Sequence, residues 1–173
     1  LNLTFERSTV YGITGPSGCG KSSTIKAILR LLDETSGQIL MDGKNLVAIK
    51  PKEKGRDPKA FKPFRKRMAV VQQDSRFSFF PDLKIRDSFK QIVAAGNEGT
   101  IEELGENLEK VGLTKAHLDA YPQSLSSGEM KRMDIARALT SKPDILLLDE
   151  PFAHIDFDTR LHVMKVISDY LAS

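Results

Sequence analysis

The chain has 173 residues, 40% of them hydrophobic and 28% charged, with a formal net charge of +3. That length suffices for one domain with a real core, and the composition is that of an ordinary soluble chain. No apolar run approaches the ~20 residues that cross a bilayer, no signal peptide is visible, and the single cysteine, Cys19, excludes an internal disulfide and fits a reducing cytosol.

Leu1 to Phe5 alternates as a half-buried strand does, and Val10 to Thr14 reads as a short strand running into glycines. Ile25, Ile28, Leu29 and Leu32 recur at helical spacing, with Lys26 and Arg30 on the other face. Gly37 ends that unit; Gln38 to Met41 reads as a strand and Asp42-Gly43 as its turn. Between Lys50 and Arg67 nine basic residues face only Glu53 and Asp57, so that stretch is +7 and the rest of the chain −4. With Pro51, Pro58 and Pro63 inside it, the run reads as a solvated loop; a partner-binding or lipid-facing patch is the alternative, and nucleic acid is weakly supported. Met68 to Val71 is another strand candidate.

The character then changes. Ile85, Phe89, Ile92 and Val93 mark one amphipathic helix, and Ile101, Leu104, Leu108 and Val111 a second, closed by Gly112. Strand signals return at Asp144 to Leu148, before a helix with Leu161, Met164, Ile167 and Leu171 on one side. This order predicts an α/β core from 1–73 and 141–173 with a mostly parallel sheet, interrupted by a helical subdomain over 74–140.

Three motifs carry chemistry. Gly15-Pro16-Ser17-Gly18-Cys19-Gly20-Lys21-Ser22, followed by Ser23, satisfies G-x-x-x-x-G-K-[ST] between a predicted strand and helix. Its glycines let successive backbone N–H groups curl around phosphate oxygens at the positive end of a helix dipole. Lys21 is expected to reach the β- and γ-phosphates of ATP, and the Ser22 hydroxyl to coordinate Mg²⁺. The second motif is Ile145 to Leu148 followed by Asp149 and Glu150: an apolar run reads as a strand buried on both faces, with two acids where parallel sheets hold their ligands. Asp149 is placed to hold Mg²⁺, and Glu150 to polarise the water that attacks the γ-phosphate. The third, Leu125-Ser126-Ser127-Gly128-Glu129, opens a helix whose Ile135, Ala138 and Leu139 face inward; Ser126 and Glu129 form an S-x-x-E capping box, which is compatible with an anion site.

Taken in this order, with a glutamine-bearing strand and a helical insert between the first motif and the third, the chain resembles the ATP-binding-cassette (ABC) ATPases over essentially its whole length. The resemblance implies that Gln73 is the family's glutamine sensing Mg²⁺ and the γ-phosphate. It implies that Leu125 to Glu129 is the signature, with Ser126 and Gly128 meeting nucleotide, and that Asp156 is the D-loop aspartate. It further implies a second such subunit paired head to tail, each signature closing the other's phosphate loop. Transmembrane permease subunits, a solute-binding protein and a peripheral location on the cytoplasmic face of the membrane follow from the same family. Arg65 to Asp74, Ser78, Pro81 and Tyr121-Pro122 look like its peptide and nickel importer branch.

The sequence departs from the family at Ser127, where a glycine is usual, at Glu129, where glutamine is commoner, and at His154, where a small residue stands. The family's adenine-stacking aromatic and switch histidine have no counterpart here; His117 and His162 stand elsewhere, and the chain reads as a fragment. Against an ATPase that energises transport stand two alternatives. One is a soluble ABC ATPase acting on nucleic acid or the ribosome, although neither a long coiled coil nor a second cassette is seen. The other is a nucleotide-binding piece without turnover, which intact Lys21, Asp149 and Glu150 argue against for the parent protein.

Overall fold

The structure, a computed structural model, describes residues 2–32, 36–49 and 61–172. In chain order its elements are α1 (Lys21–Ile28), β1 (Leu40–Met41), β2 (Lys44–Asn45), α2 (Lys62–Arg65), β3 (Met68–Val71), α3 (Ile85–Ala94), α4 (Ile101–Lys110), α5 (Ser127–Thr140), β4 (Ile145–Leu148) and α6 (Phe157–Ala172). Short 3₁₀ turns join β3 to α3 and α4 to α5.

The centre is the parallel pair β3–β4, in register from Met68 opposite Ile145 to Val71 opposite Leu148. Side chains alternate across a strand, and here the alternation divides two cores. Ala69, Val71, Leu146 and Leu148 pack into one with α3, α4, α5 and α6; Met68, Val70, Ile145 and Leu147 pack into the other with Ile25, Leu29, Met41, Leu46 and Phe61. Each face of the strand that ends in Asp149 and Glu150 therefore packs against a core, but its four residues are half-buried rather than buried on both faces as the unbroken apolar run predicts. The larger core is dense: Ile85, Phe89, Leu104, Leu108, Met133 and Ile135 are at most 1% exposed. Each such side chain contributes roughly 1.5–3 kcal/mol by leaving water.

Local chemistry sets the boundaries. Thr100 and Glu103 form a reciprocal capping box that starts α4, and Gly112 ends it at φ 76°. In that left-handed position the Leu113 N–H returns to the Leu108 carbonyl at 2.8 Å, a Schellman-type close that favours glycine. Asp42 and Gly43, at φ 50° and 77°, make the two-residue turn between β1 and β2; two consecutive positive φ angles match a right-twisted hairpin. The turn is tied to the central pair through Arg67, which bonds Asp42 at 2.6 Å and Asp144 at 2.5 Å.

Several expectations are corrected. Among the described residues, Asn2 to Phe5 and Val10 to Thr14 are exposed and form no strand, because no strand pairs with their backbone groups. The strand expected from Gln38 begins at Leu40. Leu32 lies beyond the end of α1 and is 43% exposed. The inward stripe of α6 is Val163 and Ile167, joined by Val166 and Tyr170, whereas Leu161, Met164 and Leu171 are 51%, 46% and 43% exposed. Apolar residues cover more than one face of α6, so periodicity fixes the helix but not its rotation; packing into the larger core chooses. Of the basic run, Lys50 to Lys59 lies outside the described residues, and Lys62 to Arg67 forms α2 and the approach to β3.

Candidate nucleotide-binding and hydrolysis site

The phosphate loop wraps the start of α1. Gly18 and Gly20 sit at φ 78° and 101°, conformations that side chains rarely adopt, and a Cβ on Gly15 would lie 2.7 Å from Cys19 Sγ. Backbone conformation favours glycine at 18 and 20, while at 15 a side chain would crowd Cys19. Gly20 occupies the N-cap without a side-chain hydrogen bond to the first turn of α1, so the N–H groups of that turn have no side-chain cap. Lys21 Nζ folds over the loop, donating to the carbonyls of Gly15 at 2.8 Å and Pro16 at 2.9 Å. Ser17 and Ser23 are exposed and Ser22 half-buried, as befits a loop open to a ligand.

The second centre lies where β3 and β4 end. Asp149 N–H donates to the Val71 carbonyl at 2.9 Å, continuing the ladder one residue past β4. Glu150 then turns into the left-handed region at φ 49°. A glutamate there is strained by of order 1–3 kcal/mol, the kind of cost that collects at functional sites. Its Oε2 accepts a hydrogen bond from Gln73 Nε2 at 3.3 Å. Two residues 77 apart in sequence, both expected to serve hydrolysis, are in contact.

The S-x-x-E box of Ser126 and Glu129 caps α5, as its spacing predicts. Ser126 Oγ accepts from Glu129 N–H at 3.2 Å, while Glu129 Oε2 accepts from Ser126 N–H at 2.9 Å and from its hydroxyl at 2.7 Å. These bonds, the Ser126 hydroxyl foremost, hold the Glu129 carboxyl below the usual glutamate range. His117, expected to stand away from the chemistry, reaches Glu129 Oε1 with Nε2 at 3.7 Å. Gly128 has a physical reason of its own: a Cβ there would come within 2.8 Å of the His154 carbonyl oxygen. His154 is exposed, at φ 63°, so the D-loop backbone bends directly against the signature helix. Asp156 Oδ1 accepts from Thr159 N–H at 3.0 Å and caps α6.

Gln73 and Glu150 are thus brought together, as are Gly128 and the D-loop. Among the described residues no hydrogen bond joins Lys21 or Ser22 to Gln73, Glu150 or Ser126. Two side chains that sequence reasoning missed hold this region. Lys131, 2% exposed, donates from α5 to the carbonyls of Gln72 and Gln73 at 2.6 and 2.9 Å. Arg137 donates to the Val70 carbonyl at 2.7 Å and pairs with buried Asp134. The signal was present, since Lys131, Asp134 and Arg137 recur at a spacing of three on a helix whose apolar face is buried.

A glycine-built phosphate loop, and a parallel strand pair ending in acids on which a glutamine closes, define an α/β domain of the P-loop class. The chain belongs to the ABC transporter family, whose model matches residues 1–153. It is 30% identical over 174 residues to the oligopeptide transport ATP-binding protein OppF of Bacillus subtilis, covering 98% of this chain and 55% of that protein. It is 34% identical over 163 residues to the glycine betaine/carnitine/choline transport ATP-binding protein OpuCA of the same organism, covering 92% of this chain and 40% of that protein. The fold matches the ATP-binding cassette MJ0796, solved as a dimer in a post-hydrolysis state with ADP and Pi, at a TM-score of 0.80 and 25% identity, over 96% of this chain and 71% of that one. The chain spans about half the length of the curated relatives it matches.

Proposed function

We propose that the protein binds and hydrolyses ATP to energise transport across a membrane, as the cassette of an importer of the peptide or nickel type. The contact between Gln73 and Glu150 carries this reading, because it sets a candidate base beside an amide at the end of two parallel strands, where open α/β sheets hold their ligands. Its counterpart is the phosphate loop, whose open glycines and uncapped helix start suit the ATP phosphates. In the proposed mechanism Lys21 leaves its own loop carbonyls for the β- and γ-phosphates. Glu150 orients a water and takes part of its proton as that water attacks the γ-phosphate, and Gln73 holds Glu150 in line. Ser22, Gln73 and Asp149 offer a hydroxyl, an amide oxygen and a carboxylate, the hard donors Mg²⁺ takes. The ion would neutralise charge on the phosphates.

In this reading residues 74–140 form the helical subdomain and 1–73 with 141–173 the α/β core. The consecutive run of α3, α4 and α5 between β3 and β4 supports that division. Ser126, Gly128 and Asp156 would face the nucleotide of a second subunit, head to tail. Permease subunits and a solute-binding protein would complete the machine at the cytoplasmic face; no helix among the described residues is long and apolar enough to cross a membrane. The likeness to OppF supports a peptide cargo.

The test is a pair of substitutions in the full-length protein. Lys21→Ala should abolish ATP binding in a calorimetric titration. Glu150→Gln should keep binding and lower turnover by about 10²–10⁴, since an amide cannot take the proton. Unchanged affinity in the first or wild-type hydrolysis in the second overturns the assignment.

A further inference from the structure

The edge of β3 that faces away from β4 is an exposed row of backbone acceptors in principle, and such edges must be covered. Here cations from α5 take the carbonyls at its C-terminal end and just past it. Arg137 takes the Val70 carbonyl, and Lys131 takes those of Gln72 and Gln73. Val71, pointing the other way, is held by Asp149 N–H. The backbone that presents Gln73 is therefore gripped from one side by the strand ending in Asp149 and from the other by the helix that Ser126 caps.

An ordinary lysine keeps its ammonium in water. Lys131 is 2% exposed, and burial pushes its ammonium below the usual lysine range while Asp134, Asp149, Asp74 and Glu150 favour the charged form. Among the described residues, two short bonds to carbonyls are all the hydrogen bonds that the side chain makes. A structural filler of that volume would be served by methionine or leucine. A buried cation aimed at two successive carbonyls instead dictates where the backbone of Gln73 sits, and so where its amide meets Glu150.

We propose that Lys131 is a positioning residue for ATP hydrolysis, which ties the seating of the signature helix to the placement of Gln73 against Glu150. Lys131 follows the capping box in α5 by less than one turn. Any displacement of the helix start, such as engagement of a partner's nucleotide at Ser126, is carried by the ammonium to Gln73. This rests on the ATPase reading above and adds a residue that acts through another rather than on substrate.

The experiment uses the full-length protein, with kcat and KM for ATP measured for wild type, Lys131→Met, Gln73→Ala and the double variant. Lys131→Met should lower kcat about tenfold to a hundredfold, the scale set by misplacing a reacting group by an ångström, with KM for ATP within about twofold. In the double variant the losses should not multiply, because both substitutions break the same link. Wild-type kcat in Lys131→Met, or losses that multiply, overturns the proposal. Circular dichroism establishes that the variant is folded; should Lys131→Met fail there, Lys131→Gln, which keeps an N–H donor of shorter reach, is put through the same cycle. Absence of Lys21-dependent hydrolysis in wild type overturns the ATPase reading and this proposal together. Hydrolysis that is intact and indifferent to residue 131 overturns this proposal alone.

Discussion

Glu129 stands where the family more often has glutamine, and the structure shows what the acid does. It accepts both bonds from Ser126 and closes the N-terminus of α5 with a negative charge, favourable at the positive end of a helix. Its carboxyl is held below the ordinary value of 4.5 by the Ser126 hydroxyl, then the Ser126 N–H, with His117 adding to both. A carboxyl whose folded pKa is depressed binds fewer protons folded than unfolded, so its stabilisation is present above the unfolded value and is lost as pH falls through the folded one. Thermal melts from about pH 5 to about pH 3 should therefore fall less steeply for Glu129→Gln than for wild type. Equal slopes would mean that the capping box is not coupled to titration. The Ser126 hydroxyl is engaged within the box, so in the proposed dimer it would turn its proton away from Glu129 to meet a partner's phosphate. No such step was visible in the motif alone.

At the scale of elements, α5 and the D-loop meet through one missing methyl. Gly128→Ala sets two effects against each other. Alanine in a helix is favoured over glycine by up to ~1 kcal/mol, yet its Cβ would stand 2.8 Å from the His154 carbonyl oxygen. Overpacking of this sort costs about 1–3 kcal/mol, and the obstacle is backbone, which yields less readily than a flexible side chain. The clash should win: denaturant titration should find Gly128→Ala less stable by about 1–2 kcal/mol. A neutral or stabilised variant would show that the bend at His154 relaxes freely. The helix starts and ends at this level were largely legible, because capping box and C-terminal glycine are local chemistry. The rotation of α6 was not, because its apolar residues outnumber one face and only packing into the larger core selects Val163 and Ile167.

For the whole molecule, the proposed head-to-tail pairing makes a prediction that no single subunit can meet. Ser126→Arg should keep ATP binding but block a partner's γ-phosphate from the start of α5, whereas Lys21→Ala should fail at its own phosphate loop. In a mixed dimer one composite site inherits both lesions. The other joins an intact loop from the Ser126→Arg chain to an intact signature from the Lys21→Ala chain. Mixing the two variants should therefore restore ATP-dependent dimerisation, read by size-exclusion chromatography or by crosslinking cysteines placed at Ser17 and Ser127 across chains. Failure of mixing, with normal dimerisation of wild type, would mean either that both sites are needed or that Ser126 serves only its own helix, and the crosslink between positions 17 and 127 separates the two.

Sequence alone was enough to read the α/β class and the Ser126–Glu129 capping box, and to mark the loop from Gly15 to Ser22 and the acids Asp149 and Glu150 as the residues proposed for the chemistry. Each is written in contiguous residues whose identity is demanded by backbone conformation, by charge or by a hydrogen bond within a few positions, so local spacing is enough to read it. Tertiary structure decided what depends on residues far apart. It set Gln73 against Glu150 across 77 positions, and turned Lys131 from a surface-like charge into a buried brace. It also denied strand structure to Val10–Thr14 while granting it to Met68–Val71. The physical reason is the same in each case: a strand, a buried cation or a hydrogen-bonded pair exists only through its partner, and the partner's position is set by packing rather than by sequence neighbours.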